Sequence, residues 1–417
     1  VGYKDGAVHL RKKDGTTAIV PRANLSRQDQ LYLRKELVRR KAREKDRLPA
    51  RPMPLDNNLK CVDLSDLKGP LPLDVVSSAQ ILKQTEDWEH SSYKNPDWPV
   101  GGHKSLGYPT MVKNDHGKNQ DGKYYLYYAH HDPMSGIGCA VAASIKGPYV
   151  KVANLPDSDR KHSMVLTVEH YKPDGPNRDD PSHYCSPCVV WNEEEQLWFM
   201  YFHYFNHLHG AWTASADDPG EGWQMTALAT CPDLSSHEWT IWKNAKHGKV
   251  SVWDIVPVLP TTGEDWMKSQ SSYHAIQRLP DGQWLAFLRG TPTTGPRPTV
   301  GFATSDDGRV WKYFPENPVI AQGKPWTQKS KEYRPAFIGY LGSNKAGQQV
   351  YLVAWAEHPE PHVIYSLTTD FKTFRRDPRG YAKWGGADGL VSVWREGDRL
   401  YLFAEKNVYE MALPVSR

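Results

Sequence analysis

A repeated strand–turn–strand plan constrains the fold of this chain more than any other feature. Five segments each open with an apolar strand behind a polar cluster, turn at Asp, Gly or Asn, and return as an aromatic-rich strand that ends in a polar residue. They read LGYPTMVK with KYYLYYAHH, HYCSPCVVW with QLWFMYFH, SYHAIQRL with QWLAFLRG, EYRPAFIGYL with QVYLVAWAE, and ADGLVSVW with RLYLFAEK. Repeated four-stranded units of this kind stack radially. We therefore predict an all-β fold with a five-bladed β-propeller over residues 60–417.

The rest of the sequence supports this prediction. Aromatic residues make up 12% of the chain, and 32 Gly and 32 Pro favour many short strands joined by tight turns. We expect the fourth strand of the last blade to come from residues 60–95 and to close the ring. Thr304-x-Asp306-x-Gly308-x-x-Trp311 resembles the Asp-box turn of many propellers, in which the Asp caps backbone amides.

The N-terminal segment is expected to form a short hairpin-plus-helix appendage. Alternation in Ala7 to Leu10 and in Thr17 to Val20, around Lys13-Asp14-Gly15, predicts a hairpin, and Ser26 is the expected helix cap. The residues Val8-His9-Leu10-Arg11-Lys12, Asp14-Gly15, Val20-Pro21 and Leu25-Ser26-Arg27-Gln28-Asp29-Gln30 resemble the C-terminal half of a Sla-type homology domain, a small SH3-like barrel. We divide the chain into this partial module at 1–35, a basic helix or linker at 36–59, and the propeller.

Charge and cysteine content exclude several classes of function. The net charge of +4, from 52 Lys and Arg against 48 Asp and Glu, is too small to predict nucleic-acid binding. No apolar stretch is long enough to predict a membrane span. Cys185 and Cys188 form a CxxC inside a predicted strand, with no second pair to complete a zinc site, so we interpret them as structural.

Polar side chains recur at equivalent places in the five repeats, where a propeller would bring them to the axis. Aligning the repeats gives one column of Tyr108, Ser186, His274, Arg334 and Asp388, and a second of His130, His203, Arg289, Glu357 and Glu405. Such a cluster in a concave site is the natural place for chemistry. The candidate catalytic residues are Glu357, Glu405, His203, His274 and Tyr108. The candidate substrate-binding residues are His103, His130, His131, His183, Tyr273, Arg289, Glu332, Arg334, Asp388 and Asp254.

The repeats, with KYYLYYA followed by SIKGPY, resemble the five-bladed glycosidases of glycoside hydrolase family 43 and its relatives. That resemblance implies a hydrolase in which an Asp-Pro dipeptide opens each of the first two blades and supplies two of three catalytic carboxylates. Here the matching dipeptides are Tyr108-Pro109 and Ser186-Pro187. The chain departs from the family at both acids, so a hydrolase would have to use others, and Glu357 with Glu405 could flank a glycosidic bond.

Two other functions stay open at this point. A polysaccharide lyase acting on uronates would use His and Tyr as base and acid and Arg against the carboxylate. The Tyr273 to Arg289 arrangement resembles that of propeller ulvan lyases. A non-catalytic propeller that binds glycans or proteins is the third alternative.

Of these three, we predict a glycoside hydrolase, secreted or in the periplasm or envelope, that cleaves a poly- or oligosaccharide, which could be anionic, in the axial pocket. The location is implied by the Sla-type resemblance, which also suggests protein or envelope contact through residues 1–47. No cofactor is required. The axial channel could hold a divalent cation, although the neighbours His130 and His131 would point to opposite faces of a strand.

Overall fold

The computed structural model describes the following parts of the 417-residue chain. They are residues 2–4, 7–11, 17–21, 75–89, 106–130, 136–153, 162–168, 183–205, 224–242, 249–250, 255–261, 265–267, 270–291, 298–327, 332–344, 347–358, 362–376, 391–396 and 399–412. Helical structure in these parts is limited to single 3₁₀ turns at Asp87–Glu89, Leu234–Ser236 and Asp265–Met267. The predicted all-β class is confirmed for this part of the chain. None of its helices is long and apolar enough to cross a membrane.

The chain divides into two compact units, Val1–Met53 and Pro54–Arg417. The first contains an antiparallel sheet of β1 (Gly2–Lys4), β2 (Ala7–Arg11) and β3 (Thr17–Pro21). Val8 of β2 pairs with Val20 of β3, which confirms the strand pairing of the predicted hairpin. Its turn at Lys13-Asp14-Gly15 and the helix expected from Ser26 lie outside the described residues.

The second unit is built from short strands in which apolar and aromatic residues dominate. In chain order they are β4 (Val75–Gln80), β5 (Gly107–Lys113), β6 (Tyr124–Ala129), β7 (Ile137–Ala142), β8 (Val150–Lys151), β9 (Met164–Val168), β10 (His183–Asn192), β11 (Leu197–Phe205), β12 (Gln224–Cys231), β13 (Thr240–Ile241), β14 (Lys249–Val250), β15 (Gln270–Arg278), β16 (Trp284–Thr291), β17 (Thr299–Ser305), β18 (Trp311–Tyr313), β19 (Glu332–Ser343), β20 (Gln349–His358), β21 (His362–Thr368), β22 (Arg375–Arg376), β23 (Val391–Glu396), β24 (Arg399–Ala404) and β25 (Asn407–Ala412).

All of these strands except β9 and β14 form five antiparallel series, which follow chain order except that β4 completes the fifth. The series are β5-β6-β7-β8, β10-β11-β12-β13, β15-β16-β17-β18, β19-β20-β21-β22 and β23-β24-β25-β4. In the first series β7 also pairs with β9, which pairs in parallel with β14. A parallel pairing of β12 with β15 joins the second and third series. β4 lies antiparallel to β25, as we predicted for a strand between residues 60 and 95.

Five apolar clusters each join two neighbouring series. Four of them contain, in turn, Tyr127 and Trp198, Phe199 and Trp284, Phe287 and Tyr351, and Leu352 and Leu402. In the fifth, Phe403 of β24 shares a cluster with Leu126 of β6, which connects the last series to the first. Burial of these large side chains is the main favourable term in the stability of the unit.

The turn between β17 and β18 corrects one detail of the sequence analysis. The carboxylate that caps the turn belongs to Asp307, because its Oδ1 accepts from the backbone N–H groups of Arg309 and Val310, both at 2.8 Å. Asp306, the residue that the Asp-box pattern assigned to capping, is exposed. The same arrangement recurs at Asp370, which accepts from the amides of Lys372 and Thr373 at 2.9 and 2.8 Å.

Cys185 and Cys188 both lie in β10, as predicted. Cys185 is buried, and the Sγ atom of Cys188 is 3.5 Å from the carbonyl oxygen of Ile276 on β15. Burial raises the pKa of the Cys188 thiol to about 11, so this side chain is protonated and unreactive at neutral pH. This is the packing environment expected of a structural cysteine.

Candidate functional site

Three series begin with a strand that carries a β-bulge at the same place. The register shifts between Gly107 and Thr110 in β5, between Cys185 and Cys188 in β10, and between Ser272 and His274 in β15. Within these bulges Tyr108, Ser186 and Tyr273 have φ of 53°, 51° and 49°. A non-glycine residue held at positive φ costs of order 1 kcal/mol, and bulges of this kind re-aim side chains near functional sites.

The bulges also correct the alignment of the two predicted columns. The backbone places Tyr273, rather than His274, in line with Tyr108 and Ser186. In the second column, Ala129 pairs with the residue before the bulge just as His203 and Arg289 do, so Ala129 takes the place predicted for His130. The His130 side chain is buried, and its ring centroid lies 5.9 Å from that of Trp88.

Tyr273 lies at the centre of a group of cationic and aromatic side chains. Its ring centroid is 3.9 Å from the guanidinium carbon of Arg289 and 5.1 Å from that of Arg334. The ring of His203 is 4.9 Å away and that of Tyr108 is 5.9 Å away, measured between centroids. The His183 ring in turn lies 5.5 Å from His203. We call these six residues the Tyr273 cluster.

The Tyr273 cluster joins strand ends that are distant in sequence. Its residues come from β5, β10, β11, β15, β16 and β19. Arg334 is half-buried and the other five side chains are buried. The connecting segments at this end of the strands, 131–135, 206–223, 292–297 and 359–361, lie outside the described residues.

Burial decides the protonation state of His203. Its pKa lies well below the ordinary value, first because the ring is desolvated and then because His183, His274, Arg289 and Arg334 disfavour a further positive charge. The imidazole is therefore neutral at neutral pH, and it can take up a proton only where a negatively charged group offsets the added positive charge. A neutral His whose ring lies 4.9 Å from a Tyr ring is a candidate partner for general acid–base chemistry.

His274 has a different environment from the one we predicted for a catalytic residue. Its Nδ1 lies 3.0 Å from Thr226 Oγ1, and that hydroxyl donates to the Ser271 carbonyl oxygen at 2.8 Å. Because the hydroxyl proton is used in this way, Nδ1 carries the proton and donates to Oγ1. Burial lowers the pKa of His274 to about 4, opposed by a contact with the Tyr201 backbone. His274 thus ties β15 to β12.

The two carboxylates that we predicted as acid and base occupy different kinds of position. Glu357 lies near the end of β20, where it pairs in register with Tyr333. Its side chain is buried, and Oε1 accepts from the indole Nε1 of Trp355 at 3.0 Å. Glu405 is the first residue of the two-residue turn between β24 and β25, with φ of 48°.

Several predicted site residues are not described. His103, His131, Asp254 and Asp388 lie outside the described residues, and for Glu332 the structure describes the backbone in β19 but not the side chain. Within the described parts, no group of three or more His, Cys, Asp or Glu side chains is arranged to hold a metal ion.

Two residues beside the cluster were not predicted. Gln224 and Gln270 are buried at the starts of β12 and β15 and accept hydrogen bonds from Arg289. A polar residue that opens a strand is usually solvated, so the sequence pattern alone did not mark them. Gln270 opens the bulged strand β15, and Gln224 becomes its neighbour only through the parallel pairing of β12 with β15.

No protein-family model matches the chain, and no curated protein sequence matches it. Among solved structures, an N-acetylgalactosamine deacetylase from F. plautii in complex with blood group B trisaccharide is 11% identical, with a TM-score of 0.48 over 82% of this chain and 94% of that one. A thermostable family-43 glycoside hydrolase is 13% identical, with a TM-score of 0.47 over 75% and 90%. The family 117 glycoside hydrolase Zg3597 from Zobellia galactanivorans is 11% identical, with a TM-score of 0.46 over 82% and 90%. At these identities and TM-scores the likenesses decide neither the fold nor the activity.

Proposed function

We propose that this chain is a carbohydrate-active enzyme built as a five-bladed β-propeller, in which a glycan reacts at the Tyr273 cluster. Five antiparallel series in chain order, each sharing an apolar cluster with the next, support the propeller. The cluster of Phe403 with Leu126 supports closure of the ring between the last series and the first. The ends of the strands that carry the bulges would then face one axial pocket.

The reaction that the geometry supports best is β-elimination on a uronate-containing glycan. The observation that carries this proposal is Tyr273, with two guanidinium groups within 5.1 Å of its ring centroid and the neutral His203 ring 4.9 Å away. A uronate needs a cation to neutralise its carboxylate, a base for the proton at C5 and an acid for the leaving oxygen. Arg289 or Arg334, His203 and Tyr273 supply these three functions.

In this reaction the role of His203 follows from its neutral state. Neutral His203 removes the proton at C5, and the electrons of that C–H bond form the C4=C5 double bond. The C4–O bond breaks, and the departing oxygen takes its proton from the Tyr273 hydroxyl. Transfer of the His203 proton back to Tyr273 through solvent restores the starting state.

Hydrolysis is the second candidate, and Glu357 favours it. This carboxylate is only 5% exposed, and the indole N–H of Trp355 donates to its Oε1 and so fixes its direction. With Glu405 as its partner, Glu357 would act on a glycosidic bond, with water replacing the leaving group.

The test is a digestion of plant and algal polysaccharides, followed both by ultraviolet absorbance and by assay of reducing ends. β-Elimination gives an unsaturated uronate that absorbs near ~235 nm, whereas hydrolysis gives reducing ends without that absorbance. Absorbance that disappears in His203→Ala and Tyr273→Phe but persists in Glu357→Gln would support β-elimination. Reducing ends that disappear only in Glu357→Gln or Glu405→Gln would support hydrolysis. Binding without turnover of any substrate would instead support a glycan-binding propeller.

We further propose a role for the N-terminal unit and for the cellular location. Residues 1–35 would form the partial Sla-type module and 36–59 a linker, in a secreted, periplasmic or envelope protein that makes contacts through residues 1–47. Catalysis by His203 and Tyr273 needs no cofactor, so incubation with a chelator should leave the rate unchanged. A rate restored only by an added divalent cation would instead indicate a cation in the axial channel.

A further inference from the structure

We infer that Gln224 and Gln270 are positioning residues that fix the guanidinium group of Arg289 against the ring of Tyr273. This inference deepens the proposed function and rests on it for its catalytic consequence. We call the two residues the amide pair.

The amide pair lies where two of the series meet. Gln224 of β12 and Gln270 of β15 are partners in the parallel pairing that joins the second series to the third. Both are buried, with 1% and 2% of their surface exposed. Gln270 Nε2 donates to Gln224 Oε1 at 2.9 Å, so the two side chains are held to each other as well as by their strands.

Both amide oxygens face Arg289. Its Nη2 donates to Gln270 Oε1 at 2.7 Å and to Gln224 Oε1 at 3.2 Å. The hydroxyl of Thr291 also donates to Gln270 Oε1 at 2.6 Å, and that of Ser272 donates to Gln224 Oε1 at 3.1 Å. Buried carbonyl groups with several donors are fixed in orientation, and because each has at least two donors, it stays satisfied when one of them is lost.

These contacts determine where the charge of Arg289 lies. The guanidinium carbon is 3.9 Å from the Tyr273 ring centroid, a distance at which cation–π attraction is effective. The amide pair provides charge-assisted hydrogen bonds but adds no negative charge beside the guanidinium, whereas a carboxylate in either place would offset the positive charge. Neutral acceptors therefore suit a cation that must still attract a uronate carboxylate.

The amide pair also sets the position of Arg289 relative to His203, the proposed base. Gln224 pairs in register with Phe205 on β11, two residues after His203. Arg289 is held from β12 as well as from β15, so its position relative to His203 does not depend on the third series alone. The amide pair thereby aligns the cation of one series with the imidazole of the preceding one.

Two substitutions of Gln270 distinguish the effect of the position of the Arg289 guanidinium from the effect of a negative charge beside it. Gln270→Leu removes the acceptor, and we expect the guanidinium to leave the Tyr273 ring and kcat/KM on an oligouronate to fall about tenfold to hundredfold, as misplacement by about 1 Å can cause. Gln270→Glu keeps the shape and the acceptor, so we expect Arg289 to stay in place while KM rises with a smaller change in kcat. Crystal structures of each variant measure the distance from guanidinium to ring.

Thr291→Val is the matched control, because it removes one donor from Gln270 Oε1 and leaves the amide pair and Arg289 intact. We expect an unchanged distance from Arg289 to Tyr273 and a kcat/KM within about twofold of wild type. Equal losses in Thr291→Val and Gln270→Leu would overturn the inference, since they would indicate general damage. If Gln270→Leu does not fold, Gln224→Met removes the other acceptor and serves the same comparison.

The crystallographic measurement keeps this inference separate from the proposed function. If wild-type protein cleaves no glycan, the proposed function fails, but a guanidinium displaced in Gln270→Leu and retained in Thr291→Val still supports the positioning role. A guanidinium that stays on the Tyr273 ring in Gln270→Leu overturns the inference, whatever the activity.

Discussion

The Tyr273 cluster and the turn from Ser305 to Trp311 lie at opposite ends of the third series, and both set polar groups beside a residue of positive φ. In the turn, Gly308 has φ of 69°, and the carboxylate of Asp307 accepts from amides two and three residues later. In the cluster, Tyr273 has φ of 49°. It contacts His203, which lies 70 positions earlier in the chain, and Arg334, which lies 61 positions later.

The difference in sequence separation between these contacts distinguishes two uses of polar residues. The contacts of the turn satisfy backbone N–H groups of the turn itself. This structural role is enough to account for the polar residues found there. The described contacts of the Tyr273 cluster join side chains from different strands to one another. They place two guanidinium groups and two imidazoles close together. Because crowding such groups in a buried place lowers stability, we look for a functional reason for this arrangement.

The largest expected effect comes from removing one hydroxyl from the Tyr273 cluster. We expect Tyr273→Phe to lower kcat by roughly 10²- to 10⁴-fold, the usual contribution of a general acid, with the thermal midpoint little changed. Turnover of the polysaccharide and thermal unfolding measure the two quantities. Tyr313→Phe, which loses a hydroxyl that donates to the Pro260 carbonyl oxygen outside the cluster, is the control and should keep full activity. Equal activity of both variants would contradict our assignment.

The pH dependence of stability tests the buried histidines. Burial lowers the pKa of His274 from 6.5 to about 4, so between these pH values the unfolded chain binds a proton that the folded chain does not. The free energy of unfolding should therefore fall as the pH drops through this window, by up to about 3 kcal/mol from His274 alone, and His203 changes it in the same direction. Urea unfolding at pH 7 and pH 5 measures the loss. A His274→Gln variant with the same pH dependence as wild type would show that this residue is not its source.

At the other end of the series, the close approach of Tyr201 to Gly308 makes the turn sensitive to a methyl group. A Cβ at Gly308 would lie 2.7 Å from the hydroxyl oxygen of Tyr201, which also donates to the Gly308 carbonyl oxygen. Because of this contact and the positive φ at Gly308, we expect Gly308→Ala to lower the free energy of unfolding by about 2 kcal/mol. The cost should shrink in a Tyr201→Phe background, where the hydroxyl is absent. If Gly308→Ala loses as much stability in the Tyr201→Phe background, the loss comes from the backbone conformation and not from the contact with the Tyr201 hydroxyl.

The smallest expected effect concerns which aspartate caps the turn. Asp307→Ala should lower the free energy of unfolding by about 1 kcal/mol, the usual value of a cap, and leave kcat/KM unchanged. Asp306→Ala, one residue earlier and exposed, should stay within about 0.5 kcal/mol of wild type. Chemical denaturation measures both variants. A larger loss at Asp306 would favour the capping residue that the Asp-box pattern predicts.

The sequence predicted the strands well because their signal is local. Alternation, aromatic content and Asp or Gly turns indicate β10, β15 and their partners directly. The closing strand β4 was also expected, since a unit that lacks its fourth strand must obtain it from another part of the chain.

The site was harder to predict because its geometry depends on breaks in the alternation. A bulge adds one residue to a strand, and a shift of one residue exchanges the two faces. This is why the alignment placed His274 where the structure has Tyr273, and His130 where it has Ala129. The amide pair escaped notice for another reason, since Gln224 and Gln270 become neighbours only through a parallel pairing between separate repeats.

The pairing of β4 with β25 has a consequence for how the protein is made. Ser77 donates to Glu410, which follows it by 333 residues. During synthesis β4 leaves the ribosome long before its partner exists, so its edge stays unpaired while the other series assemble. Contacts this distant in sequence make folding slow. Completion of the second unit is therefore a late event, and a chain that ends before β25 cannot supply the partner that β4 requires.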